Sequence, residues 1–443
     1  MLKSLKTINE TKAPEISIAK AAFPEPFITG LEYNAPARGT WNIVHTGMLI
    51  PESHQIFICA QGCLRGVILT AAEMNAMDRM SWVSICENDF LDASLEDDIV
   101  NGTTEILNKM ETLPPVVLVF LSCVHLFACC DFAITLKELE KRFPTVDFIE
   151  SYMTPTMRKS GLTPDALMRK QLYSPLKPVP KNSKSINIIG NDRPTDQSGR
   201  LITMIKKSSF VIKDITNCKS YKAFLNMAES AVNITYLPTT YAAGEELERR
   251  LGQRHLHIPL SYSYHEITEN FKRLSVELDM KIPDFSEDIR KAEKALEAAH
   301  TEIGNLPITI DYTATPRPIS LARLLTEHSF RVEKIYSEAF VATEEEDFIW
   351  LKEHAPNILL ASTVHPEKRF LKKEIPERKV LAIGQKAAYF NNTPYFVNIV
   401  SGGGLYGFSG IIRLAEMMIE ASLKPKKTKE LISYKGLGCE SCL

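Results

Sequence analysis

The stretch from Pro114 to Asp131, PPVVLVFLSCVHLFACCD, constrains the fold more than any other part of the chain. It opens on β-branched and aromatic residues (Val116, Val117, Val119, Phe120), the composition of a strand buried on both faces. The apolar run approaches the length of a short membrane span. Ser122, His125 and the change of period around them argue instead for a buried strand that ends in a loop. Cys123 follows at the strand's end, where open parallel sheets place their ligands. Alone it reads as an inert buried thiol, because free cysteine packs as a small hydrophobe. A second cysteine set the same way changes that reading. Cys63, in ICAQGCLRG, also follows a short strand and precedes a helix.

A chain of 443 residues with 44% hydrophobic content can bury a large core, and its length suggests about two to four domains. The formal net charge of −2 offers no electrostatic case for nucleic acid or for an anionic membrane surface. The opening MLKSLKTINETKAPEIS is polar and lacks the apolar core of a secretory signal. Without that signal, nine cysteines read as reduced thiols or metal ligands rather than a disulfide framework. The expectation is a cytoplasmic protein with no nucleic-acid and no membrane partner.

Strand and helix signals alternate along the chain. IFICA is a strand, CLRGVILTAAEMNAMD a helix, SWVSICE a strand, LEDDIVNGTTEILNKMETL a helix with acidic residues in its first turn, VVLVFLS the central strand and VDFIES another. Strands separated by helices predict a parallel, doubly wound sheet. SPLKPVPKNSKS (174–185) has Pro, Ser and Lys without periodicity and marks a boundary. A second α/β set follows, from INIIG to GEELERRLG, and a third runs from PITIDYT to FSGIIRLAEMMIEASL. The expected organisation is an N-terminal arm over 1–40, α/β domains over 41–180, 186–304 and 305–423, and a tail over 424–443. The Pro-rich arm reads as laid over a partner or over the body of the protein. The fold class is α/β, with three Rossmann-like domains built on parallel sheets.

Several short motifs compete for the function. Gly402, Gly404 and Gly407 in SGGGLYGFSG make a GxGxxG between a strand and a helix. A dinucleotide site also needs a second strand and an acidic residue beyond it, and only a helix and a tail remain. The loop therefore reads as close backbone approach to another buried group. NIIGNDRPTDQSG lacks the GK[ST] of a phosphate loop, and no HExxH, GxSxG or kinase set appears. His54, His125, His255 and His257 are scattered and read as core or surface residues. The terminal CESC, with Cys439 and Cys442, is a CxxC on a basic, glycine-containing tail. Cys63 and Cys123 then carry the chemistry, with Cys59, Cys86, Cys129 and Cys130 nearby in sequence. Thiolates at the ends of neighbouring parallel strands can converge on one soft metal centre, and iron–sulfur clusters are held by cysteine in this way.

The pattern resembles component 1 of nitrogenase and its relatives, the dark protochlorophyllide and chlorophyllide reductases and the tetrapyrrole reductase of F430 synthesis. AQGC at 60–63 and LSC at 121–123 look like the family's second and third cluster cysteines, and NAPARGTW like the segment that supplies the first. ENDFLDASLEDDIVNG looks like its acidic run before a helix. MTPTMRKSG places Thr156 where one nitrogenase subunit has a serine beside the cluster. TATPRPIS and LYGFSGIIRLAE look like segments of its third domain.

The departures are specific. Arg38-Gly39-Thr40 stands where the first cysteine belongs, which leaves Cys59 as a possible substitute, and Cys129-Cys130-Asp131 replaces a Gly-Asp-Asp. Leu237 and Asn398 occupy the positions of the cysteine and histidine that hold the molybdenum–iron cofactor, so no such cofactor is expected in the nitrogenase manner. The resemblance implies a catalytic-component subunit of a nitrogenase-like reductase, with substrate or second cofactor in a central cavity. It implies a 4Fe-4S or larger P-cluster-like centre at Cys63 and Cys123, shared with a second subunit. It also implies an ATP-hydrolysing iron protein as electron donor, and a homo-oligomer or a paralogous partner subunit in a dimer or heterotetramer. The alternatives are a non-catalytic partner subunit, a metallocluster-assembly scaffold, or a periplasmic-type binding fold with coincidental cysteines.

Overall fold

Fourteen strands form three sheets in the described part of the computed structural model, residues 14–27, 43–92, 94–154, 161–370 and 378–428. In chain order they are β1 (Glu15–Ser17), β2 (Ser53–Ala60), β3 (Met80–Ile85), β4 (Val116–Ser122), β5 (Asp147–Met153), β6 (Asn182–Ile188), β7 (Val211–Asp214), β8 (Ser230–Thr235), β9 (Arg254–His257), β10 (Ile308–Asp311), β11 (Val332–Tyr336), β12 (Leu359–Ala361), β13 (Leu381–Ile383) and β14 (Phe396–Val397). The sheets run β3-β2-β4-β5, β7-β6-β8-β9 and β1-β12-β11-β10-β13-β14. Every pairing is parallel except β1 with β12. Apart from the edge strand β1, each sheet starts in its middle, builds to one side, and then crosses back to build on the other. The α/β class with parallel sheets is the one expected from the sequence.

Contacts group the chain into two compact units. One holds residues 40–194 and 205–258 with the first two sheets, and the other holds the N-terminal segment, 195–204 and the chain from 259 with the third.

In the first unit, β4 is buried along its whole length. Val116, Leu118 and Phe120 enter one cluster with Phe57, Cys59, Leu64, Val67, Met168 and Phe224. Val117, Val119 and Leu121 enter another with Ile56, Ile58, Ile99 and Leu139. The period of two sends successive side chains to opposite faces, so both faces need a helical cover. Leu64 and Val67 of the helix Gln61–Glu73 cover the first face. Ile99 of the helix Leu95–Asn108 and Leu139 of Phe132–Arg142 cover the second. Each Val or Leu buried this way contributes about 1.5–3 kcal/mol.

Local signals set the helix starts. The Asp131 side chain accepts the Ile134 N–H at 3.0 Å, and Glu96, Asp97 and Asp98 fill the first turn of Leu95–Asn108. Several elements are absent from the sequence reading, among them the helices Ile43–Gly47, Pro164–Leu172 and Tyr264–Glu277, and the strands β1 and β9. The β9 stretch, RHLH, has no apolar alternation and is a strand only because it pairs with β8. β6 begins at Asn182, inside the stretch read as an aperiodic linker.

In the second unit, the described part of the N-terminal arm lies on the body of its own chain. β1 adds to the sheet beside β12, Lys334 Nζ meets Glu15 at 2.6 Å, and Phe23 packs on Phe340 and Phe348. The glycine loop is a close backbone approach, as its sequence suggested. Gly402, Gly403 and Gly404 have φ of 75°, 59° and 72°. The N–H groups of Ser401 and Gly402 donate to the carbonyls of Thr313 and Ala314 at 2.7 Å each. A dinucleotide phosphate would compete for those same donors. Among the described residues no helix is long and apolar enough to cross a membrane.

Candidate metal-cluster site

β2 and β4 are hydrogen-bonded neighbours, with Ile58 beside Leu121. Beyond β2 the chain enters a helix on one face of the sheet. Beyond β4 it passes through the short helix Cys123–Phe127 to Phe132–Arg142 on the other face. That divergence is the topological switch point of the sheet, the crevice in which open α/β folds hold ligands. Cys63 stands exposed in the first turn of Gln61–Glu73, and Cys123 is the half-buried first residue of Cys123–Phe127. The two sequence-predicted thiols therefore flank one switch point. Neither is in a disulfide, and the Cys123 Sγ lies 4.0 Å from the Met153 carbonyl at the end of β5.

The ground beneath Cys123 is firm. The Ser122 N–H donates to His125 Nδ1 at 3.2 Å, which leaves the ring proton on Nε2, buried and without a hydrogen-bond partner. Burial holds the His125 pKa down to about 4, so the ring is neutral.

The other cysteines occupy different settings. Cys59 points into the core beside Phe57 and Phe120 and is fully buried. Burial first, and the neighbouring Cys63 second, push its thiol up to about 12, which favours the neutral form over a ligand. Cys86 is exposed at the end of β3, so β3, β2 and β4 each have a cysteine at or just past their end. Its sulfur accepts from the first turn of Glu87–Leu91, and Asp89 accepts the Cys86 N–H at 2.7 Å. The strand signal of SWVSICE runs on to Glu87 and hides this cap, although Cys-x-x-Asp is a capping-box spacing. Cys129 has φ 57° and is exposed. Cys130 packs on the second face of the sheet, where burial raises its thiol pKa.

Among the described residues no group of three or more His, Cys, Asp and Glu is placed to hold a metal ion. Arg38-Gly39-Thr40, Thr156, Cys439 and Cys442 lie outside the described residues. Leu237 is buried just past β8. Asn398 is buried just past β14, its Oδ1 accepting from Gln385 Nε2 at 2.8 Å. The switch point of the third sheet is filled by the chain itself. The Asp311 carboxylate accepts N–H groups from Thr313 (2.8 Å), Ala314 (3.2 Å) and Ala387 (2.6 Å).

The fold and this edge define a doubly wound parallel α/β protein with thiols at the switch point of its first sheet. No protein-family model matches the chain, and no curated protein matches its sequence. Among the solved structures that match it, two do so along nearly its whole length. A structure of nitrogenase Cp1 at pH 6.5 has a TM-score of 0.66 and 13% identity, over 90% of this chain and 94% of that one. A structure of nitrogenase Cp1 at pH 5 has a TM-score of 0.56 and 10% identity, over 92% and 93%. At such identities the likeness is one of fold, and the chain has a nitrogenase component 1-like fold.

Proposed function

We propose that the chain is a catalytic-component subunit of a nitrogenase-like reductase, with an iron–sulfur cluster held at a subunit interface by Cys63 and Cys123. The observation that carries this reading is the placement of both thiols, one exposed and one half-buried and neither in a disulfide, at the switch point between β2 and β4. The donor set fits half a site. A cubane is normally held by a set of four thiolates, and no described cluster of three is present in one chain. A second copy or a paralogue would complete the set. Large apolar side chains just past the ends of the cysteine-bearing strands, Leu91 (79% exposed) and Phe127 (66%), support an interface there.

Once bound, a cluster supplies one-electron transfer at a potential set by ligation, burial and nearby hydrogen bonds. This chain's part is to present two sulfurs from rigid strand ends and to cover them with apolar surface. An ATP-hydrolysing iron protein is the electron donor that the reading requires, and a substrate or second cofactor is the acceptor. Leu237 and Asn398 favour one variant of the reading, a non-catalytic partner subunit of the same assembly. Neither position offers a metal ligand, and Asn398 is already engaged with Gln385.

Anaerobic purification should yield a brown protein with iron and acid-labile sulfide, as a dimer or larger assembly. Cys63→Ala and Cys123→Ala should each lose most of the iron. Iron content unchanged in both variants would sink the assignment, and a monomer with a full cluster would sink the shared site.

A further inference from the structure

The sequence treats His255 and His257 as isolated residues, and the fold makes them a pair. They are two apart on β9, the outer strand of the second sheet, and so project from the same face. Their ring centroids are 6.2 Å apart. His255 Nε2 lies 2.7 Å and His257 Nδ1 2.9 Å from a single atom, the Thr235 hydroxyl oxygen on β8. We infer that His255 and His257 form a chelating site for a divalent transition-metal ion of the zinc, nickel and cobalt class.

The surroundings are built for this. Deeper along the same face the polar groups close on each other. Asn233 Nδ2 donates to Gln253 Oε1 at 3.1 Å, and Gln253 Nε2 donates to the carbonyls of Met227, Ala228 and Ser230. That ladder ends in the two imidazoles, which are only half-buried. The hydroxyl can bridge the pair by donating to one nitrogen and accepting the N–H of the other. A cation between them takes a lone pair from both.

The helix Tyr241–Leu251 packs against the pair through Gly244. A Cβ on Gly244 would stand 2.2 Å from His255 Nε2, so glycine is what lets the helix lie this close to the ring. Tyr241 sets its ring edgewise against both imidazoles, at 5.2 and 5.0 Å. Glu248 accepts the backbone N–H of His255 at 3.1 Å, and both Glu248 and Glu245 lie close enough to act on the His255 ring. Both add negative charge where a cation would sit. Imidazole suits zinc, copper and nickel, and β8 and β9 hold no cysteine that would select a softer ion. With no third His, Cys, Asp or Glu in place among the described residues, the remaining positions fall to the Thr235 hydroxyl and solvent.

The full-length chain, purified without added metal, should be titrated with Co²⁺ and followed by its electronic spectrum. Thiolate-bound and imidazole-bound cobalt absorb differently, so ions on the cysteines are counted separately and the result does not depend on the cluster. One imidazole-ligated ion per chain is expected. His255→Gln and His257→Asn keep a hydrogen-bonding atom near the Thr235 hydroxyl but remove the imidazole. Each should lose that ion and leave the thiolate-bound ions unchanged. An imidazole-ligated ion retained by either variant overturns the site. Absence of such an ion from the parent overturns it too, whether or not the variants fold.

Discussion

The Phe57 and Phe120 rings stack 4.2 Å apart and within 5° of parallel, one from β2 and one from β4 at paired positions. They lock together the two strands whose ends carry Cys63 and Cys123. Both rings are fully buried, and truncation would leave a cavity that the packed sheet cannot close. Phe120→Ala should therefore cost about 3–5 kcal/mol of stability, read from the midpoint of chemical denaturation.

Cys59 and Cys86 test the ligand set from the other side. Cys59 is core and Cys86 caps a helix, so Cys59→Ala and Cys86→Ser should retain the iron that Cys63→Ala and Cys123→Ala lose. Metal analysis of the anaerobic proteins decides this. A large loss of iron in either would move the cluster off the β2–β4 pair.

Arg317 is fully buried in the second unit, where it donates to Glu266 at 2.6 Å, to the carbonyls of Leu260 and Thr343, and to Asp347 at 3.5 Å. Removing it takes the buried cation from Glu266 and from Asp347, which keeps only the half-buried Arg323 at 3.1 Å. Arg317→Ala should cost about 3–5 kcal/mol, as expected when one side of a buried ion pair is lost. Thermal unfolding would show it.

Glu344 is buried beside the start of the helix Pro318–Glu327, its Oε1 accepting the N–H groups of Ile319 (2.8 Å) and Ser320 (2.9 Å). Burial raises its pKa to about 8. The folded state keeps this proton after the unfolded state has lost it, so stability falls as pH rises from the ordinary carboxylate range to about 8. The slope from this group is at most about 1.4 kcal/mol per pH unit. Glu344→Gln keeps an acceptor for both N–H groups and should flatten that part of the stability–pH profile. An unchanged profile in the variant would assign the dependence to other groups.

Much of the fold was legible in the chain. The buried run Val116–Ser122, the cysteines after it and after β2, and the alternation of strand and helix all follow from local composition and period. Hence the α/β class could be read before any contact was known. The meaning of the glycine loop was legible too, because a dinucleotide fold needs elements that the remaining chain lacks.

What local pattern could not carry was adjacency. That β2 lies between β3 and β4, so that three strand-end cysteines share one edge, is decided by which hydrophobic faces pack together across many residues. Cys59 and Cys63 look alike in ICAQGC, yet one faces the core and the other solvent, because the strand ends between them and the helix turns the side chains to a new direction. RHLH has no strand signal of its own, and pairing with β8 makes it one. The same pairing brings His255 and His257 to one hydroxyl, a convergence that exists only once the sheet has formed.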